Sequence, residues 1–257
     1  MENNVENNPV VYGGQSETKN IKSNDSFEML KPNTAKISTG SELLDSYLGG
    51  GYESDIVTTI YGPSGSGKTN LCLLAATKVA ESGKKVIVID TEGGIAVERI
   101  KQLTPRWENV LSKFLFFQPL NFDQQQDVFG KLKKILDGVG LIVVDSISML
   151  YRLELGKAEA IFETNSALAR QIATLVEISR SNNIPVLITN QVYADFNNKD
   201  KVKMVGGDLL KYGSKCLVEL FKLGEKDNRA LVIRKHRYLP GGKEVLFRIV
   251  NEGVLGI

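Results

Sequence analysis

Short apolar runs alternate with segments of helical periodicity along most of this chain. The runs have the length of buried strands and lie at residues 56–61, 85–90, 113–117, 141–145 and 184–189. Apolar residues three or four positions apart predict helices at residues 41–48, 69–76, 96–103, 123–136 and 158–180. This alternation predicts an α/β fold with a mostly parallel central sheet, flanked by helices on both faces.

The pattern changes after Gly206. Residues 215–223, 229–235 and 243–250 have the composition of strands, and turn-forming sequences rather than helices join them. Short connections of this kind join antiparallel neighbours. We therefore expect a C-terminal antiparallel meander at one edge of the parallel sheet.

The first 33 residues differ from the rest, because they are rich in Asn, Glu, Ser and Lys and hold few clustered apolar residues. This composition predicts a disordered Asn-rich extension over residues 1–33 and one globular domain over residues 34–257. Residues 27–30, Phe-Glu-Met-Leu, form an apolar cluster within the extension. We expect a linker there, and a short docking segment is the alternative.

Composition narrows the class of protein. With 257 residues and 42% hydrophobic content, the chain can bury one sizeable core. No apolar run reaches the ~18 residues of a membrane span, and the N-terminus lacks a secretory-signal pattern, so we expect a cytoplasmic protein. Cys72 and Cys216 lie in apolar segments and are expected to be reduced core residues. A metal site built on them is not expected, because His236 is the single histidine.

One motif carries most of the functional information. Residues 62–69 match the phosphate-binding loop G-x-x-x-x-G-K-[ST] and lie between a predicted strand and a predicted helix, as the motif requires. Lys68 can reach the β- and γ-phosphates, and the Thr69 hydroxyl can bind Mg²⁺. A glycine-rich turn with a chance lysine is the alternative. The predicted nucleotide contacts in this segment are Gly62, Pro63, Ser64, Gly65, Ser66, Gly67, Lys68, Thr69 and Asn70.

Carboxylates stand at the carboxyl ends of two predicted strands. Asp145 ends the strand at 141–145, where it can hold Mg²⁺ through water beside Thr69. Glu92 follows the strand at 85–90, where it can orient and deprotonate a water that attacks the γ-phosphate. An ordinary strand-ending aspartate and a solvated turn glutamate are the respective alternatives.

Three further polar side chains are candidates for a role in hydrolysis. Gln191 follows the strand at 184–189, and its neutral amide can hydrogen-bond the γ-phosphate and report nucleotide state to the next loop. Lys235 and Arg237 are alternate residues of one predicted strand, so we expect them to share a face. From a neighbouring subunit they could stabilise transition-state charge. A surface amide and a basic edge strand that prevents aggregation are the alternatives.

In order and spacing, these segments together resemble the RecA-like recombinase ATPases, and within them the archaeal RadB branch. The resemblance covers residues 36–257 and implies a RecA-like ATPase core that binds ATP and Mg²⁺. The matching segments are residues 37–41, 43–45, 48–51, 62–69, 89–92, 98–100, 144–146, 189–191, 206–207 and 235–240.

The resemblance implies roles for individual residues. Glu92 looks like the catalytic glutamate, Gln191 like the switch glutamine, and Arg99 like the arginine that stacks on adenine. The residues thereby implied in catalysis are Glu92, Lys68, Gln191, Lys235 and Arg237.

Lys235 and Arg237 match positions that act on a neighbouring subunit, and Pro240 matches the neighbour's contact to the base. In the full-length recombinase of this lineage the position of Lys235 is acidic and can recruit potassium. The lysine ammonium is expected to replace that ion.

The chain also departs from the full recombinase. It shows neither the preceding helix-hairpin-helix domain nor the Phe-x-x-Ala polymerisation motif, so we expect no autonomous strand exchange. The resemblance implies an accessory protein of homologous recombination and DNA repair that binds ATP and DNA and hydrolyses ATP weakly. The implied partners are DNA, a RadA-type main recombinase, a junction-processing nuclease and further copies of the chain, in a cytoplasmic, nucleoid-associated location.

Candidate DNA contacts lie in two places. Arg152 follows Asp145 where the family's first DNA loop would lie, and the stretch 192–206 after Gln191 combines basic and aromatic residues. We expect single-stranded or branched DNA to bind there through stacking and phosphate contacts. Solubility is the alternative reason for this mixed charge. The candidate contacts are Arg152, Tyr193, Phe196, Lys199, Lys201 and Lys203.

Two other functions stay open at this point. A non-catalytic recombination mediator would bind ATP as a structural ligand and dock on partners. A ring-forming regulatory ATPase of the KaiC type would share the strand with basic residues at alternate positions.

Overall fold

A computed structural model describes residues 35–155, 161–195, 198–224 and 227–257, with the backbone alone at 194–195 and 198–203. The predicted extension over residues 1–33 and the candidate Phe196 lie outside the described residues, so both stay predictions. Within the described ranges, no helix combines the length and the apolar composition that crossing a bilayer requires.

Strands and helices alternate through the first two thirds of the described chain. The strands are β1 (Lys36–Ile37), β2 (Tyr52–Glu53), β3 (Val57–Gly62), β4 (Lys85–Asp90), β5 (Phe114–Phe117), β6 (Val139–Asp145), β7 (Val186–Asp195), β8 (Asn198–Met204), β9 (Cys216–Leu223), β10 (Asn228–Lys235), β11 (Glu244–Val250) and β12 (Gly253–Gly256). The helices are α1 (Glu42–Tyr47), α2 (Lys68–Glu81), α3 (Val97–Leu103), α4 (Trp107–Leu111), α5 (Phe122–Lys131), α6 (Met149–Leu155), α7 (Ile161–Asn182) and α8 (Gly207–Gly213).

Ten of the strands in the described ranges form one sheet. Its order is β12-β11-β10-β9-β3-β7-β6-β4-β5, and β8 pairs with β7 outside this path. The pairs from β9 through β3 to β5 are parallel, and the pairs from β9 to β12 are antiparallel. The predicted α/β fold class with a C-terminal antiparallel meander is confirmed, and β12 adds a strand that was not predicted.

The central strands are buried on both faces, because alternate side chains enter two separate apolar cores. On β4, Val86 and Val88 belong to the core that includes α2, whereas Ile87 and Ile89 belong to the core that includes α5 and α7. All four side chains are fully buried. This two-sided burial explains why the strands are near-continuous apolar runs in the sequence.

Part of the stretch predicted to be a loop at 192–206 is a β-hairpin. β7 continues past Gln191 and pairs antiparallel with β8, with Val192 opposite Met204. Both residues pack with Tyr61 and Leu217. This apolar contact anchors the base of the hairpin to β3 and β9, and it gives the chain after Gln191 a regular structure that its polar composition did not predict.

The carboxyl ends of four parallel strands meet at one edge of the sheet. In the strand register, Gly62 of β3 is paired with Gln191 of β7, and Asp90 of β4 is paired with Asp145 of β6. Residues that lie far apart in sequence are thereby brought together at the edge where α/β proteins bind ligands.

Removal of one buried ring tests the described packing of the C-terminal strands. Phe247→Ala is expected to lower the free energy of unfolding by about 3–5 kcal/mol, because Phe247 is 0% exposed and its loss leaves a cavity. The matched control is Phe162→Ala, whose ring is 82% exposed and whose loss should change stability by less than about 0.5 kcal/mol. Urea denaturation measures both, and equal losses would contradict this packing.

Candidate nucleotide-binding site

The phosphate loop connects the end of β3 to the start of α2. Gly67 has a φ of +105°, a conformation that other residues rarely adopt, and a Cβ there would lie 2.5 Å from Cδ1 of Ile249. The backbone conformation therefore favours glycine at this position, and any larger residue would also displace the Ile249 side chain of β11. The first-turn N–H groups of α2 have no partner within the helix, which suits them to bind phosphate.

Lys68 begins α2, and its side chain folds back over the loop. Its Nζ donates to the carbonyl oxygens of Gly62 and Pro63, both at 3.0 Å. Burial holds the pKa of the Lys68 ammonium below its ordinary value, and the carboxylates of Glu92 and Asp145 offset part of this shift. The two carboxylates thus favour the charged lysine, which is the form that binds phosphate.

Asp145, the last residue of β6, accepts hydrogen bonds from two threonines. The Thr69 hydroxyl donates to Oδ2 at 2.6 Å, and the Thr189 hydroxyl donates to Oδ1. Burial, together with the nearby charges of Glu92 and Asp90, holds the pKa of the Asp145 carboxyl above its ordinary value, and the two hydrogen bonds offset only part of this rise. Hydroxyl groups from the phosphate loop and from β7 therefore stabilise the ionised form of a carboxylate that is only 3% exposed.

The oxygens of Thr69 and Asp145 fit magnesium. Both are hard donors, and they lie 2.6 Å apart beside the phosphate loop. Among the residues that the structure describes, no group of three or more His, Cys, Asp and Glu side chains is placed to hold a metal. Mg²⁺ commonly binds through one or two protein oxygens together with water and phosphate, so this sparse donor set suits it.

Glu92 and Gln191 contact each other beside the phosphate loop. Nε2 of Gln191 donates to Oε1 of Glu92 at 2.9 Å. The backbone that carries Glu92 is fixed by the buried Asp90, whose carboxylate accepts N–H groups from residues 92–95. The Glu92 carboxylate is therefore positioned from the end of β4 and from β7 at the same time.

Sequence reasoning missed three polar residues that hold the strand ends together, namely Asp90, Thr91 and Thr189. The Thr91 hydroxyl donates to the carbonyl oxygen of Ser146 at 2.7 Å, and the Thr91 N–H donates to that of Asp145 at 2.8 Å. Each of these three residues lies at the end of an apolar run and within two positions of a residue already predicted to belong to the site. This placement was the signal in the sequence that could have identified them.

These side chains line one open cleft of about 300 Å³. The lining residues are Ser64, Gly65, Gly67, Lys68, Thr69, Asn70, Glu92, Asp145, Gln191, Asp227, Arg229 and Ile249. Asp227 lies in the turn before β10, Arg229 on β10 and Ile249 on β11. None of the three was predicted. Nothing in their local sequence indicates that the C-terminal strands reach the phosphate loop.

Five predicted nucleotide contacts do not line this cleft, namely Gly62, Pro63 and Ser66 of the phosphate loop, Arg99 and Pro240. The Arg99 guanidinium donates to the carbonyl oxygens of Val250 and Asn251, both at 3.0 Å, and so fixes the turn after β11. Pro240 is exposed in the segment between β10 and β11. Stacking of Arg99 on adenine and the contact of Pro240 with a neighbour's base stay predictions.

The Lys235 ammonium is engaged within its own chain. Nζ donates to the carbonyl oxygen of Lys211 and, at 2.8 Å, to that of Ser214, at the carboxyl end of α8. A cation there complements the partial negative charge of a helix C-terminus.

Arg237 also has hydrogen-bond partners within its own chain. Contrary to the expectation from the sequence, it does not share a strand face with Lys235. β10 ends at Lys235 after a register irregularity, so Arg237 lies in the following turn. Its Nε donates to Oε2 of the buried Glu53 at 2.9 Å, and its Nη1 donates to Asp55 at 2.9 Å. Hydrogen bonds to Asp55 and Glu53 raise the pKa of Arg237.

His236 lies between these two cations, and its side chain is 3% exposed. Nδ1 accepts the N–H of Leu239 at 3.2 Å, and Nε2 lies 3.7 Å from Oε2 of Glu53. Burial lowers the pKa of the His236 imidazole; Glu53 raises it, and the charges of Lys36 and Arg237 lower it. Together these effects favour the neutral imidazole.

The candidate DNA contacts lie on α6 and on the β7–β8 hairpin. Arg152 is exposed on α6, a helix where the sequence had indicated a loop. Tyr193 is 43% exposed on β7. Lys199, Lys201 and Lys203 lie on β8, and their side chains lie outside the described part of the structure.

Comparison with known proteins decides the family. The family model described as Rad51 matches residues 31–257. The chain belongs to the Rad51 family. The RecA-like fold and the resemblance to the archaeal RadB branch, both predicted from the sequence, are confirmed by the relatives of this Rad51-family chain.

Curated relatives of this chain carry the name DNA repair and recombination protein RadB, and two of them show the extent of the similarity. This chain is 38% identical over 227 residues to the one from Methanobrevibacter smithii, covering 86% of this chain and 95% of that protein. It is 40% identical over 223 residues to the one from Thermococcus kodakarensis, covering 85% and 98%. A crystal structure of the RadB recombinase superposes with a TM-score of 0.73 at 39% identity, over 86% of this chain and 99% of that chain.

The buried imidazole predicts that stability falls in mild acid. An unfolded histidine has a pKa of about 6.5, and the folded pKa is lower, so the unfolded chain takes up the proton first. The His236 contribution is therefore complete above about pH 6.5 and is lost as the pH falls towards the folded pKa, by at most about 1.4 kcal/mol per pH unit.

The free energy of unfolding, measured between neutral and mildly acidic pH, checks this expectation. Because the chain has one histidine, His236→Gln removes the only imidazole titration and serves as the reference. The difference between wild type and variant should shrink as the pH falls. A constant difference would contradict a lowered pKa.

Proposed function

We propose that this chain is an ATP-binding and DNA-binding accessory protein of homologous recombination and DNA repair, with weak Mg²⁺-dependent ATP hydrolysis. The observation that carries the proposal is the convergence of Lys68, the Thr69–Asp145 pair and the Glu92–Gln191 pair on one cleft. The names of its RadB relatives support the role in repair.

These three groups of residues have different chemical tasks. Lys68 would bind phosphate oxygens, and Thr69 with Asp145 would hold Mg²⁺, which would offset phosphate charge. Glu92 accepts the proton of the attacking water. Gln191 orients the Glu92 carboxylate through the 2.9 Å hydrogen bond and can exchange this partner for a phosphate oxygen.

Weak hydrolysis follows from the contacts of the two cations expected to act on a neighbouring subunit. Lys235 donates to two carbonyl oxygens, and Arg237 donates to Glu53 and Asp55, all within one chain. Either cation must leave these partners before it can stabilise charge on a neighbour's nucleotide. Turnover therefore requires both self-association and this release, which makes it slow.

We infer that β7 transmits the nucleotide state of the cleft to the DNA-binding region. Gln191 is followed directly by the β7–β8 hairpin, so a change in its hydrogen-bond partner acts on the hairpin that carries Tyr193. An exposed aromatic ring suits base stacking, and basic residues on β8 suit phosphate contacts. Arg152 on α6 provides a second contact to single-stranded or branched DNA.

The contacts that Lys235 and Arg237 make within the chain are also compatible with a second function. With Lys235 and Arg237 held within the chain, ATP binding without hydrolysis would suffice for a recombination mediator that docks on a RadA-type recombinase or a junction-processing nuclease. We place both functions in the cytoplasm, at the nucleoid. They differ in whether the protein hydrolyses ATP.

Glu92→Gln is expected to lower ATP turnover by about 10²–10⁴-fold, because it removes the group that accepts the proton from water. ATP affinity should change little, since the lysine and the magnesium ligands stay in place. Turnover, nucleotide affinity and DNA binding across a salt series are measured on the same preparations. The matched control is Glu108→Gln, an exposed glutamate on α4, which should leave all three unchanged.

The outcomes separate the candidates. Turnover that survives Glu92→Gln, with ATP still bound, removes Glu92 from catalysis. Wild-type protein that binds ATP and DNA without any turnover favours the mediator. Absence of ATP binding in the wild type refutes both functions.

A further inference from the structure

Arg229 is a buried cation at the phosphate loop that no sequence motif indicated. It lies on β10, is 9% exposed, and lines the cleft together with Lys68 and the loop glycines. The guanidinium carries a positive charge and five N–H donors, and it has no acceptor. Burial of a charge without adequate partners is unfavourable.

The hydrogen-bond partners of Arg229 in the described residues are incomplete. Nη1 donates to the carbonyl oxygen of Asn228 at 3.2 Å, and Nη2 donates to that of Gly65 at 3.5 Å. Nε is buried and has no hydrogen-bond partner in the described part of the chain. The carboxylate 3.5 Å from Nη2 belongs to Asp227, whose side chain is 89% exposed, so water screens that ion pair.

A second cation approaches the same glycine from the next strand. Lys222 of β9 is the register partner of Arg229, and such cross-strand partners lie on the same face of a sheet. A Cβ at Gly65 would lie 2.9 Å from Nζ of Lys222. Two cations from the C-terminal strands thus lie against one glycine of the phosphate loop.

The balance of positive and negative charges in the cleft indicates a role for these cations. Among its described lining residues, Lys68 and Arg229 face three carboxylates, those of Glu92, Asp145 and Asp227. Without Arg229 a single ammonium would oppose these carboxylates and the polyphosphate at once. The added positive charge makes the cleft able to accept a strongly anionic ligand.

We propose that Arg229 and Lys222 form a cationic arm of the nucleotide site, supplied by the same chain, that binds polyphosphate oxygens of ATP. The proposal rests on the proposed ATP-binding function and extends it to residues outside the phosphate loop. Because the arm belongs to the same chain, a single subunit binds nucleotide tightly while its Lys235 and Arg237 stay engaged elsewhere. Arg229 supplies the buried contact, and Lys222 adds charge at the rim.

The test compares Mg-ATP affinity of the full chain and its variants by calorimetry at low and high salt. Arg229→Gln is expected to weaken binding by about ten- to hundredfold, as the loss of a charge-assisted hydrogen bond does. Lys222→Gln, at an exposed position, should weaken it by about two- to fivefold. Both variants should also show a weaker salt dependence than wild type, because each has one ion pair fewer to screen.

Two further variants separate ligand binding from support of the fold. Arg229→Lys keeps the charge and should recover part of the affinity and the wild-type salt dependence. Arg248→Gln removes an exposed cation from the opposite face of β11, since its neighbour Ile249 faces the cleft, and should change nothing. Thermal unfolding of each variant identifies any that is destabilised, and Lys222→Gln then carries the test.

The experiment distinguishes failure of the cationic arm from failure of the proposed ATP-binding function. Wild-type protein that binds no ATP refutes that function and this inference with it. Wild-type protein that binds ATP with the same affinity and salt dependence as Lys222→Gln and Arg229→Gln overturns the cationic arm alone. Weaker binding with unchanged salt dependence, not recovered by Arg229→Lys, shows a structural role for Arg229 and also overturns it.

Discussion

The carboxylate of Asp145 joins the parts of the site that must act together. Asp145 is the last residue of β6, and its carboxylate accepts hydrogen bonds from the hydroxyl groups of Thr69, in the phosphate loop, and Thr189, in β7. A buried carboxylate without donors would be unfavourable by several kcal/mol, so these hydrogen bonds favour one relative position of the three elements. Thr189 precedes Gln191 by two residues, and the contact between Gln191 and Glu92 therefore depends on this constraint.

The C-terminal antiparallel strands complete the site from the other side. Ile249 of β11 packs against Gly67, and Arg229 of β10 reaches Gly65, so the strands support the phosphate loop on its outer face. At the far end of β10, Lys235 is held by the end of α8. One strand thus lines the candidate cleft of its own chain near its start and ends at Lys235, the cation that we propose acts on a neighbouring subunit.

The sequence predicted the features that leave a strong local pattern. Apolar runs located the parallel strands because burial on both faces leaves a continuous hydrophobic signal, and the glycines and Lys68 identified the phosphate loop by residue type. Arg229 and Ile249 escaped prediction because their role arises from strand register, which local sequence does not specify. Arg237 was expected on a strand face, but β10 ends two residues earlier and the guanidinium pairs with Glu53 and Asp55.

A structure of the chain with Mg²⁺ and a non-hydrolysable ATP analogue tests the central claim most directly. The account predicts the triphosphate on residues 62–69, the metal at the Thr69 hydroxyl with the Asp145 carboxylate beside it, and the Glu92 carboxylate facing the terminal phosphate. A nucleotide bound outside this cleft, or a metal held away from Asp145, would contradict it.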